Sequence, residues 1–218
     1  AFSVHDGTRI ADSLTPLQKE LVLNRTPSII EVFGYAFNFS SVLLGPNYQF
    51  NQYLDQIEVN DAPSGVLRGL SCLGLAFAYI GVNKGISGVL GLSTNPHDLV
   101  DPTHEMFEAS LFSKYMHIMV SMMVYRCQFY FAWSLAEGAC NISGLGYKKS
   151  ADKKGEGKWN CVTNVDAYGV ETAQNMKAVL DLWNQQTQRW LIYVCYERTK
   201  GSVYATMALS MIWHGPYL

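Results

Sequence analysis

The sequence feature that most constrains the fold is a long apolar segment, residues 66–92, in which glycines recur every few positions. Between residues 69 and 82 this segment carries no charged side chain. About twenty consecutive apolar residues suffice for a helix to cross the hydrocarbon core of a bilayer. We therefore predict a membrane-spanning helix. Lys84 either extends its amine to the interface or marks the boundary between this helix and a following loop. Small residues let neighbouring helices approach closely in lipid, and the glycines of the segment are Gly69, Gly74, Gly81, Gly85, Gly88 and Gly91.

The average composition of the chain hides this segregation. Of the 218 residues, 49% are hydrophobic and 16% are charged, as in an ordinary soluble domain. The charges, however, concentrate in residues 101–108, 148–158 and 197–200. The formal net charge is −2, which gives no reason to expect nucleic acid as a partner, because nucleic-acid-binding proteins usually carry a basic patch.

A second apolar segment, residues 111–140, carries polar side chains with helical spacing. Arg126, Tyr130, Trp133 and Glu137 fall at i, i+4, i+7 and i+11 and share one face of a helix. In lipid, such a face is expected to turn toward a partner helix or a watered cavity. Two interpretations follow: the face lines a substrate cavity in which Arg126 binds a phosphate, or Arg126 belongs to an internal ion pair that joins two helices.

Four further segments have helical patterns. Residues 12–25 predict a helix on the membrane surface. Residues 29–44 are short for a full span, so a re-entrant or tilted segment competes with a transmembrane helix. Residues 170–194 predict an amphipathic helix, interrupted near Asn184, and residues 203–213 form an apolar run. Together with the two long segments, these patterns predict an all-α, polytopic membrane helix bundle.

The remaining features are a polar segment and the cysteines. Residues 144–158 contain five lysines, which predicts a solvated loop on the cytosolic side of a membrane. The five cysteines lack C-x-x-C spacing, which argues against a disulfide framework and against a zinc site. We predict reduced, structural cysteines and no metal site. Cys195 lies among apolar neighbours, which makes a thiol inert, so a nucleophilic role for it is a minor alternative.

Several blocks of the sequence carry a resemblance to a known family. They are TPSIIEVFGYAFNFSSVLLGPNYQFNQYLDQIE, RCQFYFAWSLAEGACNISGLGY, NVDAYGVETAQN, WNQQTQRWLIYVCYER and ALSMIWHGPYL, in this order. They resemble the membrane-bound O-acyltransferase family, and its lysophospholipid acyltransferase branch in particular. The resemblance implies a single domain over residues 1–218, an internal fragment of a multi-pass protein of the endoplasmic reticulum membrane. Earlier spans and the C-terminal end are then missing, and the isolated fragment is expected to be inactive.

The resemblance also implies which residues are catalytic. It points to His214, in Trp213-His214-Gly215, and to Asn184, in Trp183-Asn184. The implied reaction transfers a fatty acyl group from acyl-CoA to the free hydroxyl of a lysophospholipid at the lipid bilayer, with acyl-CoA as substrate and no bound cofactor. His214 then accepts the hydroxyl proton as general base. Asn184 hydrogen-bonds either the thioester carbonyl or the acceptor hydroxyl. Residues expected to bind substrate or line the cavity are Arg126, Tyr130, Trp133, Glu137, Glu171, Trp183 and Trp213.

Two further observations bear on this mechanism. No G-x-S-x-G elbow occurs, so a serine acyl-enzyme is unsupported and direct transfer is favoured. The sequence continues after His214 as Gly215-Pro216-Tyr217, with the proline earlier than in the Tyr-Pro-Gly-Tyr type of tail found in the family. The backbone just after His214 is therefore expected to be set differently.

Two alternatives to this function stay open. The first keeps the fold and changes the acceptor to a sterol, a diacylglycerol or a protein. The second is a catalytically inactive membrane scaffold, whose simplest signature would be the loss of Asn184 or His214. Both residues are present.

Overall fold

The computed structural model of the chain describes residues 19, 21–23, 25–39, 48–58, 62–90, 101, 103, 107–148 and 157–215. These residues are mostly helical, which confirms the predicted all-α class. The helices are α1 (Ile29–Ala36), α2 (Phe50–Glu58), α3 (Val66–Leu90), α4 (Leu111–Ile142), α5 (Ala167–Thr172), α6 (Met176–Leu182), α7 (Gln185–Leu191) and α8 (Val203–His214), with a π-helical turn at Ile192–Tyr196. A short antiparallel ladder pairs β1 (Tyr147–Lys148) with β2 (Lys158–Trp159).

Helices α3 and α4 make the most extensive contact between described elements. Among the described helices, α3 is the one long and apolar enough to cross a membrane, over Val66–Val89. This confirms the helix predicted within residues 66–92 and makes it a candidate membrane span by length and composition, and Lys84 lies inside the helix instead of at its end. Leu67 of α3 is 79% exposed and Leu111 of α4 is 85% exposed. Apolar surface of this kind is unfavourable in water and suits contact with lipid.

The two long helices approach each other most closely at Gly69. A Cβ on Gly69 would lie 2.4 Å from Cγ1 of Ile142 and 2.8 Å from the carbonyl oxygen of Gly138. The predicted role of glycine in helix packing therefore holds at this position. At four other glycines of α3 a Cβ would meet no described atom within 4 Å: Gly74, Gly81, Gly85 and Gly88. The spacing of small residues reveals where a partner can approach, but not which of those positions the partner occupies.

Helix α1 begins with a capping box. The Ser28 hydroxyl accepts a hydrogen bond from the backbone N–H of Glu31, and the Glu31 carboxylate accepts one from the backbone N–H of Ser28. Arg25 pairs with both Glu31 and Glu58, and so ties α1 to the end of α2. Of the predicted apolar segment at residues 29–44, the described helix covers eight residues. At about 1.5 Å per residue, α1 alone is too short to cross a bilayer.

Two predicted features lie partly or wholly beyond the described residues. The surface helix predicted for residues 12–25 lies outside them, apart from residues 19, 21–23 and 25. Of the loop predicted for residues 144–158, residues 149–156 lie outside. Its two ends pair as β1 and β2, so the polar segment is closed at its base by a ladder that the sequence analysis did not predict.

The C-terminal part of the chain is divided into short helices. The single amphipathic helix predicted for residues 170–194 is instead α5, α6, α7 and the π-helical turn. The predicted interruption near Asn184 is confirmed. A second break precedes α6, whose first turn is capped by the Asn175 side chain. Asp166 caps α5 in the same way, so α5 and α6 each begin at a side chain that accepts a hydrogen bond from the first turn.

All five cysteines are buried and free. They are Cys72, Cys127, Cys140, Cys161 and Cys195. This confirms the prediction that the cysteines form no disulfide framework. Cys72 also has polar partners, since its thiol donates to Glu137 and accepts from the side-chain amide of Asn141.

The packing at Gly69 yields a stability prediction. Gly69→Ala should lower the free energy of unfolding by about 1 to 3 kcal/mol, because the new methyl group would overlap backbone atoms of α4 that cannot rotate away. Gly81→Ala, in the same helix but beside open space, should be neutral or stabilising by up to about 1 kcal/mol. Thermal unfolding of the two variants of the complete protein in detergent measures the difference. Equal melting temperatures would contradict the close approach at Gly69.

Candidate active site

Asn184 occupies the junction between α6 and α7 in an unusual backbone conformation. Its φ is +49° and its ψ is +46°, in the left-handed region. Asparagine tolerates this region better than most residues, but only as an isolated residue held by its surroundings. The Asn184 side chain is half-buried and makes no capping hydrogen bond to α7. Such conformations concentrate at functional sites, where neighbouring structure over-determines them.

Hydrogen bonds fix the chain on both sides of Asn184. Before it, the carbonyl oxygen of Leu182 accepts from the N–H of Asp166 at 3.1 Å. After it, the N–H of Gln185 donates to the Asn164 carbonyl oxygen at 2.8 Å, and the N–H of Gln186 donates to Asn164 Oδ1 at 3.0 Å. The Gln186 amide also donates to the carbonyl oxygens of Cys161 and Thr163. Residues 161–166 thus form a rigid support for residues 182–186.

Trp183, directly before Asn184, packs against aromatic rings of α4. Its ring centroid lies 5.6 Å from that of Phe129, 5.8 Å from that of Tyr130 and 4.9 Å from that of Trp133, each in an edge-to-face arrangement. Aromatic pairs at these distances are favourable beyond the area that they bury. The residue that precedes Asn184 is therefore held against α4 by three ring contacts.

A polar network extends this contact. Arg126 binds Glu171 of α5 with two parallel hydrogen bonds, Nε to Oε1 at 2.7 Å and Nη2 to Oε2 at 2.6 Å. The Tyr130 hydroxyl donates to Glu171 Oε1 at 2.7 Å. The guanidinium fork that the sequence analysis offered to a phosphate is here occupied by a carboxylate. Burial opposes ionisation of Glu171, but the hydrogen bonds from Arg126 and Tyr130 outweigh it and hold the pKa of Glu171 below its ordinary value.

Glu137 lines a cavity beside the same junction. The cavity measures about 460 Å³ and is bounded by α3, α4, residues 163–168 and the α6–α7 junction. Glu137 is buried and accepts a hydrogen bond from Thr163 Oγ1 at 3.0 Å, while Arg68 Nη2 lies 3.7 Å from its carboxylate. Leu182 and Gln185 complete the wall. A buried carboxylate therefore faces a space that reaches the residues on either side of Trp183-Asn184.

A larger cavity, of about 700 Å³, touches α7 at Gln186 and Arg189. Its other walls carry mainly amide and charged side chains, among them Gln49, Gln52, Asp55, Gln56 and Lys148. In the described part of the chain, no group of three His, Cys, Asp or Glu side chains could hold a metal ion.

His214 is the last residue of α8 and is exposed. Its ring lies edge-on to that of Trp213, with centroids 4.7 Å apart. Gly215 ends the helix with a φ of +84°, which strains any residue that carries a Cβ. Helix α8 contacts α7 and the π-helical turn. Among the described residues, no hydrogen bond joins the side chains of His214 and Asn184, which lie on neighbouring helices.

A comparison with known protein families decides which family this arrangement belongs to. The profile described as "MBOAT, membrane-bound O-acyltransferase family" matches residues 1–218. The chain belongs to the membrane-bound O-acyltransferase family. The resemblance read from the sequence blocks is thereby confirmed.

Curated relatives of this membrane-bound O-acyltransferase include proteins with lipid substrates in their names. The chain is 33% identical to the membrane-bound glycerophospholipid O-acyltransferase 2 of Rattus norvegicus, over 100% of this chain and 44% of that protein. It is 31% identical to the lysophospholipid acyltransferase 6 of Drosophila melanogaster, over 100% of this chain and 32% of that protein. The lysophospholipid acyltransferase of Schizosaccharomyces pombe is 29% identical, over 99% of this chain and 45% of that protein. The chain spans less than half the length of these relatives.

The fold of this family member brings most of the predicted site residues together. A continuous set of contacts joins Arg126, Tyr130, Trp133 and Glu171 to Trp183, the residue before Asn184. The other predicted residues lie apart from this set. Glu137 lies in the adjoining cavity, and Trp213 lies beside His214 at the end of α8.

Sequence reasoning missed the residues that support Asn184 from residues 161–166. Asn164 and Gln186 are buried, with 4% and 2% of their surfaces exposed, and both are fully engaged with backbone groups of the other segment. A signal was available for Asn164, because it is the first residue of the NVDAYGVETAQN block that carries part of the family resemblance. No spacing rule connects it to Asn184, twenty residues further along.

The Arg126–Glu171 pair yields a prediction about pH and stability. Glu171→Gln should lower the free energy of unfolding by about 1 to 3 kcal/mol at neutral pH, because a partly buried guanidinium loses its charged acceptor. Since the pKa of Glu171 in the folded protein lies below the ordinary value of 4.5, this stabilisation is present above that value and is lost as the pH falls through the folded pKa. Chemical unfolding of both proteins between neutral and acid pH measures it.

The exposed pair Lys177–Asp181 supplies the matched control. Its side chains are 83% and 53% exposed, against 30% and 28% for Arg126 and Glu171. Asp181→Asn should change stability by less than about 1 kcal/mol. An equal effect of the two substitutions would show that the Arg126–Glu171 pair is no stronger than a surface ion pair.

Proposed function

We propose that the protein transfers a fatty acyl group from acyl-CoA to the free hydroxyl of a lysophospholipid, in the membrane of the endoplasmic reticulum. The observation that carries this proposal is the likeness, over the entire chain, to proteins named glycerophospholipid and lysophospholipid acyltransferases. The exposed apolar sides of α3 and α4 support it. Both the acyl chain and the lysolipid dissolve in a bilayer, so an enzyme that joins them needs helices that are stable there.

In the proposed reaction His214 is the general base. Its neutral imidazole accepts the proton of the acceptor hydroxyl while that oxygen attacks the carbonyl carbon of the thioester. The carbon–sulfur bond then breaks, the acyl group stays on the new ester oxygen, and the proton passes to the sulfur of coenzyme A. Trp213, whose ring packs edge-on against His214, limits the orientations of the imidazole.

Asn184 is the second proposed catalytic residue. Its amide caps no helix, so its donor and acceptor atoms are available for the substrates. It hydrogen-bonds the carbonyl oxygen of the thioester as negative charge develops there, or it orients the acceptor hydroxyl for attack. In either role its position matters more than its chemistry, and the contacts on both sides of it supply that position.

The remaining predicted residues shape the cavity in this proposal. Tyr130, Trp133 and Trp183 form an aromatic wall behind Asn184, and the Arg126–Glu171 pair supports that wall. Glu137 supplies a polar end to the cavity of about 460 Å³, where the polar part of a lysolipid can bind.

Acyl transfer measured in membranes that express the complete protein tests this proposal. Labelled acyl-CoA is offered with a panel of lysophospholipids to wild type, His214→Ala and Asn184→Ala at equal protein levels. Loss of the general base should lower the rate by about a hundredfold or more, and loss of Asn184 by about tenfold to a thousandfold. His117→Ala, a histidine of α4 outside the proposed site, is the matched control and should retain activity.

The outcomes separate the proposal from its alternatives. Rapid transfer by His214→Ala would overturn the assignment of the general base. Wild-type activity toward a sterol, a diacylglycerol or a protein, with none toward lysophospholipids, would change the acceptor. Inactivity toward every acceptor would favour a non-catalytic scaffold.

A further inference from the structure

Two asparagines begin neighbouring helices in this chain and behave in opposite ways. Asn175 precedes α6 with extended backbone, and its Oδ1 accepts a hydrogen bond from the N–H of Ala178 at 2.8 Å. This is the ordinary arrangement for an asparagine at the start of a helix. Asn184 precedes α7 with left-handed backbone, and its side chain makes no capping hydrogen bond. The same residue type at the same helical position thus caps its helix in one case and does not cap it in the other.

The cap of α7 comes from Asn164. The N–H of Gln185 donates to its carbonyl oxygen, and the N–H of Gln186 donates to its Oδ1. These are the first two N–H groups of α7. The side chain of the residue that precedes a helix normally accepts a hydrogen bond from its second or third N–H group. Asn164 is 4% exposed, so this cap is built into the interior and shielded from water.

We propose that Asn164 is a positioning residue for the acyl-transfer reaction: by capping α7 in place of Asn184, it keeps the Asn184 amide free and directed toward substrate. This inference rests on the proposed function. It assigns a role to a buried residue that makes no contact with the reacting groups. Asn164 acts through the backbone of α7 and through the conformation of Asn184.

The physical argument is a competition between two acceptors for one donor. A buried N–H that lacks a partner is unfavourable, and so is the left-handed conformation of Asn184. If Oδ1 of Asn164 is removed, both costs are relieved when Asn184 returns to extended backbone and its own Oδ1 accepts from the N–H of Gln186. The amide is then withdrawn from the substrates.

The surroundings confine this change to Asn184. Trp183 stays packed against α4, and the Gln186 amide stays bonded to the carbonyl oxygens of Cys161 and Thr163. The residues on either side are therefore held independently of the Asn164 side chain. Removal of that side chain should reorient one residue and leave the helices in place.

A double-mutant cycle in the complete protein tests the inference. Asn164→Ala should lower kcat by about tenfold to a hundredfold with a smaller change in KM, because the substrates still bind but are poorly oriented. Asn164→Asp keeps the acceptor oxygen at a helix N-terminus, where a carboxylate is favoured, and should restore kcat to within about threefold of wild type. In the Asn184→Ala background, Asn164→Ala should have no further effect on kcat.

Matched variants distinguish positioning from stability. Asn175→Ala removes the asparagine side-chain cap from α6, the helix before α7, and should leave kcat near the wild-type value. A cryo-EM map of Asn164→Ala should show Asn184 with extended backbone and its side chain on the N–H groups of α7. If Asn164→Ala does not accumulate, Asn164→Ser, whose shorter side chain withdraws the acceptor, takes its place in both measurements.

Several results would overturn the inference. One is a multiplicative loss of kcat in the double variant, and another is an equal loss of kcat in Asn175→Ala. A third is a map in which Asn184 keeps its left-handed conformation without Asn164. Wild-type protein that is inactive toward every lysophospholipid would instead overturn the proposed function, and the map would still decide whether Asn164 holds Asn184 in place.

Discussion

The position of the candidate active site depends on one constraint, that polar groups on the two long helices find partners inside the protein. A polar group left without a partner in hydrocarbon costs several kcal/mol. Asn83 of α3 meets it by donating to the carbonyl oxygen of Val124 in α4, at 2.7 Å. Arg126 and Glu137 of α4 meet it with groups that come from beyond the helix pair, Glu171 and Thr163. Thr163 directly precedes Asn164, which bonds the backbone on the C-terminal side of Asn184, so the pairing that satisfies Glu137 also brings the candidate active site to α4.

The sequence predicted the long helices well, because their signal is local. Charge-free apolar runs and helical spacing were enough to predict α3, α4 and the shared face from Arg126 to Glu137. The partner of Arg126 was beyond reach, because Glu171 lies 45 positions along the chain and no local pattern connects the two. The glycines of α3 illustrate the same limit, since only the position of α4 distinguishes Gly69 from Gly81.

The sequence analysis pointed to Asn184 and Trp183, but it did not predict how the chain around them divides into short helices. Apolar spacing over residues 170–194 is that of one amphipathic helix, yet the capping side chain of Asn175 and the left-handed backbone of Asn184 divide it. The family resemblance pointed to Asn184 and His214, but it could not indicate that Asn184 adopts left-handed backbone, nor that a buried asparagine twenty residues earlier caps the helix in its place. Such information lies in hydrogen bonds between distant segments, which a single sequence does not display.

The burial of all five cysteines has a practical consequence for mapping the protein in its membrane. Since the five thiols of residues 1–218 are buried, a cysteine introduced at an exposed position in this part of the protein would be the preferred target there of a bulky, membrane-impermeant maleimide, without removal of these five. Lys177, whose side chain is 83% exposed, is such a position, and it lies within a few residues of Trp183. Labelling of intact and of opened vesicles would then reveal which aqueous compartment borders α6, and hence, for the proposed reaction, from which side coenzyme A would reach the junction at Asn184.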